Sequence, residues 1–192
     1  ADFRCGETVF AVMPDEITSA AGHPMMPYSW SFRAAITNTA CAALFADLGQ
    51  RPGTNDARAA AMGDLNSDGW LDLFVANYEN GSEVWLNSGT GSLANSGQRI
   101  GTNLNSTSVA LGDLDHDGDL DAILTSWQQS NTVWMNNGSG TFTLNQTLSQ
   151  TSMGRKVVLA DFDNDTDLDA FILNDGETNV VWQNASGTFG SI

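Results

Sequence analysis

The side chains of this chain best suited to chemistry are aspartates, and they fall into three short groups. Asp64, Asp68 and Asp72, with Asn66 among them, form the first; Asp113, Asp115, Asp117, Asp119 and Asp121 form the second; Asp161, Asp163, Asp165, Asp167 and Asp169 form the third. In each group, oxygen-bearing side chains stand at positions 1, 3, 5 and 9, and position 6 is Gly69, Gly118 or Thr166. A loop that curls can aim alternate side chains at one point, and glycine at position 6 permits the tight bend. Carboxylates converging without a basic partner repel one another, and a hard cation relieves the repulsion. Calcium takes about 6 to 8 oxygen ligands in flexible geometry. Side-chain oxygens plus a backbone carbonyl from position 7 (Trp70, Asp119, Asp167) suit it better than they suit magnesium or zinc. We therefore expect up to three bound Ca2+ ions. The only His or Cys in these loops is His116, at position 4, where its side chain is expected to point outward.

The pattern shares positions 1, 3, 5 and 6 with an EF-hand, but an EF-hand needs a bidentate Glu at position 12 and a following helix. Position 12 here is Val75, Leu124 or Ile172, inside segments that read as strands, so the EF-hand is rejected. The copies also differ. The second loop is complete, the first carries Asn66 in place of an acid, and the third carries Thr166 in place of glycine. A β-branched residue is costly at positive φ, so the third site is expected to be the weakest or geometrically altered.

The elements that must position these loops repeat with them. Asp64, Asp113 and Asp161 open the groups at intervals of 49 and 48, and Trp85, Trp134 and Trp182 keep the same intervals, each followed by an Asn (Asn87, Asn136, Asn184). Leu93, Phe142 and Phe189 recur at 49 and 47. Constant spacing of this size marks a structural repeat, and a recurring tryptophan is expected in its core. Short apolar runs flank each acidic loop, namely Ala59 to Met62 and Leu71 to Ala76, Val109 to Leu111 and Leu120 to Leu124, Val157 to Ala160 and Leu168 to Leu173. Their length, their Val, Ile and Phe content and their Gly, Asn, Asp and Ser boundaries favour strands. A third run carries the tryptophan and a fourth begins near Leu93 or Phe142. Four strands in about 48 residues is the size of one propeller blade. The fold class expected is all-β, with three four-stranded antiparallel propeller-type blades at about 57–105, 106–153 and 154–192.

The loops Asp64-Leu65-Asn66-Ser67-Asp68-Gly69-Trp70-Leu71-Asp72 and Asp113 through Asp121, with the Trp-x-Asn-x-Gly stretches Trp85 to Gly89 and Trp134 to Gly138, resemble FG-GAP/VCBS repeats, the blades of integrin-α-type β-propellers. The resemblance covers roughly residues 45–192. It implies calcium held in strand-connecting loops, an extracellular or cell-surface setting, and roles in adhesion, assembly or ligand display.

Propellers usually close with 4 to 8 blades, so three leave raw faces at both ends. Phe45 precedes Leu93 by one repeat interval, so Phe45 to Arg51 resembles the outer strand of a blade whose inner strands are absent, while the third blade stops soon after Phe189 and is expected to lack that strand. Two completions follow from this: the N-terminal strand of one copy completes the third blade of another, as a closed six-bladed dimer or a head-to-tail polymer, or the blades belong to a longer propeller or are capped by residues 1–44. Residues 1–44 form a separate N-terminal segment containing Cys5 and Cys41. An even cysteine count beside calcium loops fits secretion and predicts a Cys5–Cys41 disulfide. A chain opening on Ala1 also fits a processed, secreted protein.

Composition removes several partners. The net charge is −16 with Lys156 the sole lysine, so nucleic acid and anionic membrane surfaces are repelled at long range. No apolar run approaches the roughly 18 residues of a membrane-spanning helix. With only His23 and His116, no Ser-His-Asp arrangement is suggested, and an enzyme is not expected. The function expected is a secreted calcium-binding interaction module for adhesion, assembly or filament formation. The alternatives are a lectin, with Trp70, Trp127 and Tyr78 as stacking platforms for a glycan ligand, or an accessory domain of a larger secreted enzyme.

Overall fold

Runs of alternating or wholly apolar residues broken by Gly, Asn and Asp leave this chain little but strands and tight turns to form. The computed structural model describes residues 8–12, 29–33, 49–52 and 56–191, and every regular element among them is a β-strand. The chain divides into two compact units, Ala1–Gly49 and Gln50–Ile192. In the first, β1 (Thr8–Val12) pairs antiparallel with β2 (Ser29–Arg33). Cys5, Cys41 and Phe45 lie outside the described residues, and with them the predicted disulfide and most of the early outer-strand copy.

The second unit holds the repeats. Strands β3 (Ala57–Gly63), β4 (Asp72–Asn77), β5 (Ser82–Asn87) and β6 (Leu93–Ile100) form a four-stranded antiparallel sheet in chain order, which is the first blade. Strands β7 (Ser106–Gly112), β8 (Asp121–Asn136), β9 (Phe142–Ala160), β10 (Asp169–Asn174), β11 (Val180–Ala185) and β12 (Thr188–Ser191) form a six-stranded meander containing the second and third. The result is a set of curled antiparallel sheets, an incomplete propeller.

Two boundaries differ from expectation. The third blade does have an outer strand, the four-residue β12, paired with β11 from Ala185↔Thr188 to Trp182↔Ser191. Ser186 (φ 46°) and Gly187 (φ 87°) turn the chain back at once into it, as positive φ at both central residues of a hairpin does. Second, β8 and β9 each run through what the sequence suggests are two strands. They fold over at bulges instead of breaking: register shifts fall at Trp127/Gln129 and Ser130/Asn131, and Gln128 takes φ 56°.

The apolar side chains collect between blades. One core joins Leu65, Phe74, Val84 and Ile100 of the first blade to Val109, Leu124 and Phe142 of the second, with Phe74 and Phe142 packed edge to face at 5.2 Å. The other joins Leu114, Ile123, Val133 and Leu148 of the second to Val157, Ile172, Trp182 and Phe189 of the third. Trp182 is buried and Trp134 packs on the first core, as a repeating tryptophan should; Trp85 is half-buried and donates its Nε1–H to Glu83.

Each internal joint is built alike. A position-2 leucine, Leu65 or Leu114, inserts into the next blade. The next blade returns a position-8 leucine, Leu120 or Leu168, onto a glycine. A Cβ on Gly63 would lie 2.5 Å from Leu120 Cδ1, and one on Gly112 would lie 2.8 Å from Leu168 Cδ1, which is why glycine stands there. Asn136 Nδ2 donates to Leu65 O and Asn184 Nδ2 to Leu114 O, both at 2.8 Å, locking neighbouring blades together.

Candidate metal centre

Each acidic loop leaves the end of one strand and enters the next, β3 to β4, β7 to β8 and β9 to β10, so the three loops lie at the same end of their blades. The position-1 carboxylate closes each turn by accepting the position-6 N–H: Gly69 N to Asp64 at 2.8 Å, Gly118 N to Asp113 at 3.2 Å, Thr166 N to Asp161 at 3.1 Å. Position 5 accepts the position-7 N–H at 2.9 Å in all three, at Asp68, Asp117 and Asp165. Position 6 sits at φ 86°, 93° and 83°, and position 4 (Ser67, His116, Asn164) is also left-handed, at 58°, 66° and 63°. The sequence points to the first of these bends and not to the second.

Carboxylate oxygens converge in two of the loops. Asp113, Asp115 and Asp117 lie within 4.8 Å of one another, as do Asp161, Asp163 and Asp169. The first loop, with Asn66 in place of an acid, brings no such trio of acids together among the described residues. Asp113 Oδ1 is buried and has no hydrogen-bond partner there, an expensive state for an ionised oxygen unless a cation meets it. An all-oxygen set with an orphaned carboxylate oxygen fits a hard divalent cation, held in the second loop by Asp113, Asp115 and Asp117. In the third loop the fit is less good: Gln183 Nε2 already donates to Asp163, and Asp165 stands outside the close trio.

Position 9 has a second job that the sequence does not announce. Asp72 accepts Leu65 N and Asn87 N at 2.9 and 2.7 Å, Asp121 accepts Leu114 N and Asn136 N at 3.0 and 2.9 Å, and Asp169 accepts Phe162 N and Asn184 N at 3.0 and 2.8 Å. Each buried carboxylate thus ties its loop to the strand bearing the tryptophan. Burial pushes the Asp72 carboxyl above its ordinary value and Asp121 up to about 6, against the lowering effect of those two N–H bonds. The position-7 carboxylates of the second and third loops bond side chains of the preceding loop. Asp119 accepts Ser67 Oγ at 3.5 Å from the preceding loop, and Asp167 meets His116 Nε2 at 2.5 Å. His116 is thus exposed but engaged, and the bond to Asp167 raises its pKa while lowering that of Asp167.

Two overlapping stretches, 64–124 and 116–172, match the model of the FG-GAP-like repeat, and together they take in all three acidic loops and more than half the chain. The chain belongs to the FG-GAP-like repeat family. No curated protein matches it significantly.

An FG-GAP column that sequence reasoning missed is glutamine. Gln50, Gln98 and Gln146 recur at a constant interval of 48, and each bonds the outer strand of the next blade. Gln50 Oε1 accepts Leu93 N at 2.6 Å, Gln98 Oε1 accepts Phe142 N at 3.0 Å, and Gln146 Oε1 accepts Phe189 N at 2.9 Å. The constant interval was the available signal. Gln50 reaches the first blade as Gln98 reaches the second.

Thr166 supplies a direct test of this FG-GAP loop. It is a β-branched residue at φ 83° where the sister loops have glycine. A left-handed backbone costs a residue bearing Cβ about 1–2 kcal/mol, so Thr166→Gly is expected to raise the melting temperature by a few degrees. A lower melting point by calorimetry would mean the threonine side chain contributes more than its strain costs.

Proposed function

We propose that this chain is a calcium-loaded, β-propeller-type interaction module that works outside the cell and assembles with a second copy of itself through its end blades. The observation that carries the reading is which large apolar side chains remain exposed. Met62 (62%) and Leu71 (53%) occupy in the first blade the places of Leu111 and Leu120, which pack against a preceding blade. Val158 (42%) and Phe162 (50%) occupy in the third blade the places of Ala110 and Leu114, which pack against a following one. The two ends therefore offer the two halves of the joint that the molecule already makes twice internally. Such a heterologous contact closes into a ring if the rotation allows and otherwise extends head to tail.

The intermolecular joint is not a copy of the internal ones. Ala160 stands where Gly63 and Gly112 admit a leucine, and Val158 and Phe162 are larger than their counterparts, so the incoming Leu71 sits farther out and the contact is the weaker one. Extracellular calcium in the ~1 mM range suits loops of this kind. Sedimentation in calcium is expected to show concentration-dependent mass above 20.4 kDa, abolished by Leu71→Glu or Phe162→Glu and strengthened by Ala160→Gly. A 20.4 kDa species at every concentration would sink the proposal.

A further inference from the structure

At the blade end opposite the acidic loops lies a cavity of about 300 Å3 lined by Arg58, Tyr78, Thr107, Trp127 and Arg155. We infer that it is a binding site for a single acidic sugar, a saccharide unit carrying one carboxylate. This inference stands apart from the assembly proposal, because the cavity is built from all three blades of one copy.

The placement comes from the repeat. Arg58, Thr107 and Arg155 hold the same position near the start of the inner strand in successive blades, at intervals of 49 and 48, and Tyr78 and Trp127 share the position after the second strand. The same backbone bond seats that position each time: Tyr78 N to Asp56 O, Trp127 N to Asn105 O and Asp175 N to Met153 O, all 2.9 Å. The start of β3 lies roughly 20 Å from the metal loop at its far end, seven residues away. The acidic loops and this cavity are therefore separate sites.

The chemistry is unusual for so acidic a chain. Two of its 7 basic residues meet two aromatic rings in one cavity. Arg58 lies over the Tyr78 ring at 4.9 Å and Arg155 over the Trp127 ring at 4.6 Å. Each guanidinium is held against an aromatic ring, which restricts its motion and prepares its donors for an anion. Arg58 Nη2 donates to Asp56 at 2.9 Å, and Arg155 donates from Nε and Nη2 to Asp175 at 3.1 and 2.6 Å. These exposed pairs are weak and leave Nη1 of both arginines without a hydrogen bond among the described residues. An incoming carboxylate can share or displace the aspartates, while the tyrosine and tryptophan walls receive the apolar face of a sugar ring. A net charge of −16 disfavours polyanions, so a ligand with one charge per recognised unit suits the site best. The volume suits one or two pyranose rings.

The test is calorimetric or saturation-transfer NMR titration of the full chain with sodium glucuronate and, in parallel, glucose, at buffered saturating free calcium. Glucuronate is expected to bind with a dissociation constant on the order of 1 mM, about tenfold or more tighter than glucose. Arg155→Gln and Trp127→Ala should each weaken it about tenfold with melting temperature preserved, whereas Lys156→Gln, which removes the same charge next door, leaves it unchanged. Equal affinity for the two sugars overturns the assignment. So does glucuronate binding that survives Arg155→Gln, or that is lost in Trp70→Ala, since those results place it elsewhere.

Discussion

Removing calcium with EDTA is expected to lower the melting temperature of this protein by roughly 10 °C or more. Each site filled to about a hundred times its dissociation constant contributes about 2.7 kcal/mol, and 1 kcal/mol moves the melting point of a unit this size by about 2–4 °C. The second and third loops bring the carboxylate trios together, and without a cation the orphaned Asp113 oxygen and its neighbours repel. Two alanine variants separate the metal from the loop. Asp117 and Asp165 each accept a position-7 N–H at 2.9 Å, so both variants lose the same local bond. Asp117 also belongs to the second trio, whereas Asp165 lies outside the third. Asp117→Ala should therefore lower the melting point in calcium more than Asp165→Ala does, and the two should converge in EDTA. Unchanged melting in EDTA would refute the metal assignment.

Asp121→Ala is expected to be the most damaging single substitution, costing about 3–5 kcal/mol in urea titrations in calcium. It removes one acceptor for two N–H groups, Leu114 N and Asn136 N, and both residues are buried. Leu114 plugs the second joint and Asn136 clasps the first, so both joints loosen together. A loss below about 1 kcal/mol would show that water reaches these groups. The same carboxyl sets a pH dependence. With its folded pKa raised to about 6, the folded state holds the proton that the unfolded state releases near 3.8. Its contribution in EDTA is therefore fully present below about pH 4 and is lost as pH rises to about 6. Asp121→Asn should flatten that part of the stability profile, read as the difference between variant and native melting temperatures.

The repeat carries unequal amounts of information about its parts. The acidic positions, the glycine at position 6 and the tryptophan column were legible because each recurs from blade to blade and each has a local physical reason. The glutamine column was equally regular and went unread, because a glutamine has no single structural meaning until its partner is known. Positions 9 and 7 were legible as loop members but not in their division of labour. Asp121 and Asp119 are near neighbours in the chain, yet one clamps two backbone donors while the other reaches a neighbouring loop.

The sequence by itself determined the all-β blades, three acidic loops each joining two strands, the oxygen-only donor set and the strain at Thr166. Those follow from alternation, spacing and side-chain type, which act within a few residues. Only the tertiary structure decided which carboxylates meet, which apolar side chains remain uncovered, and that Arg58, Tyr78, Trp127 and Arg155, from three different blades, surround one cavity. Those depend on how each blade stacks on the next. That stacking is set by contacts such as Leu120 on Gly63 and Asn136 on Leu65, between residues more than a full repeat apart in the chain, which no local pattern encodes.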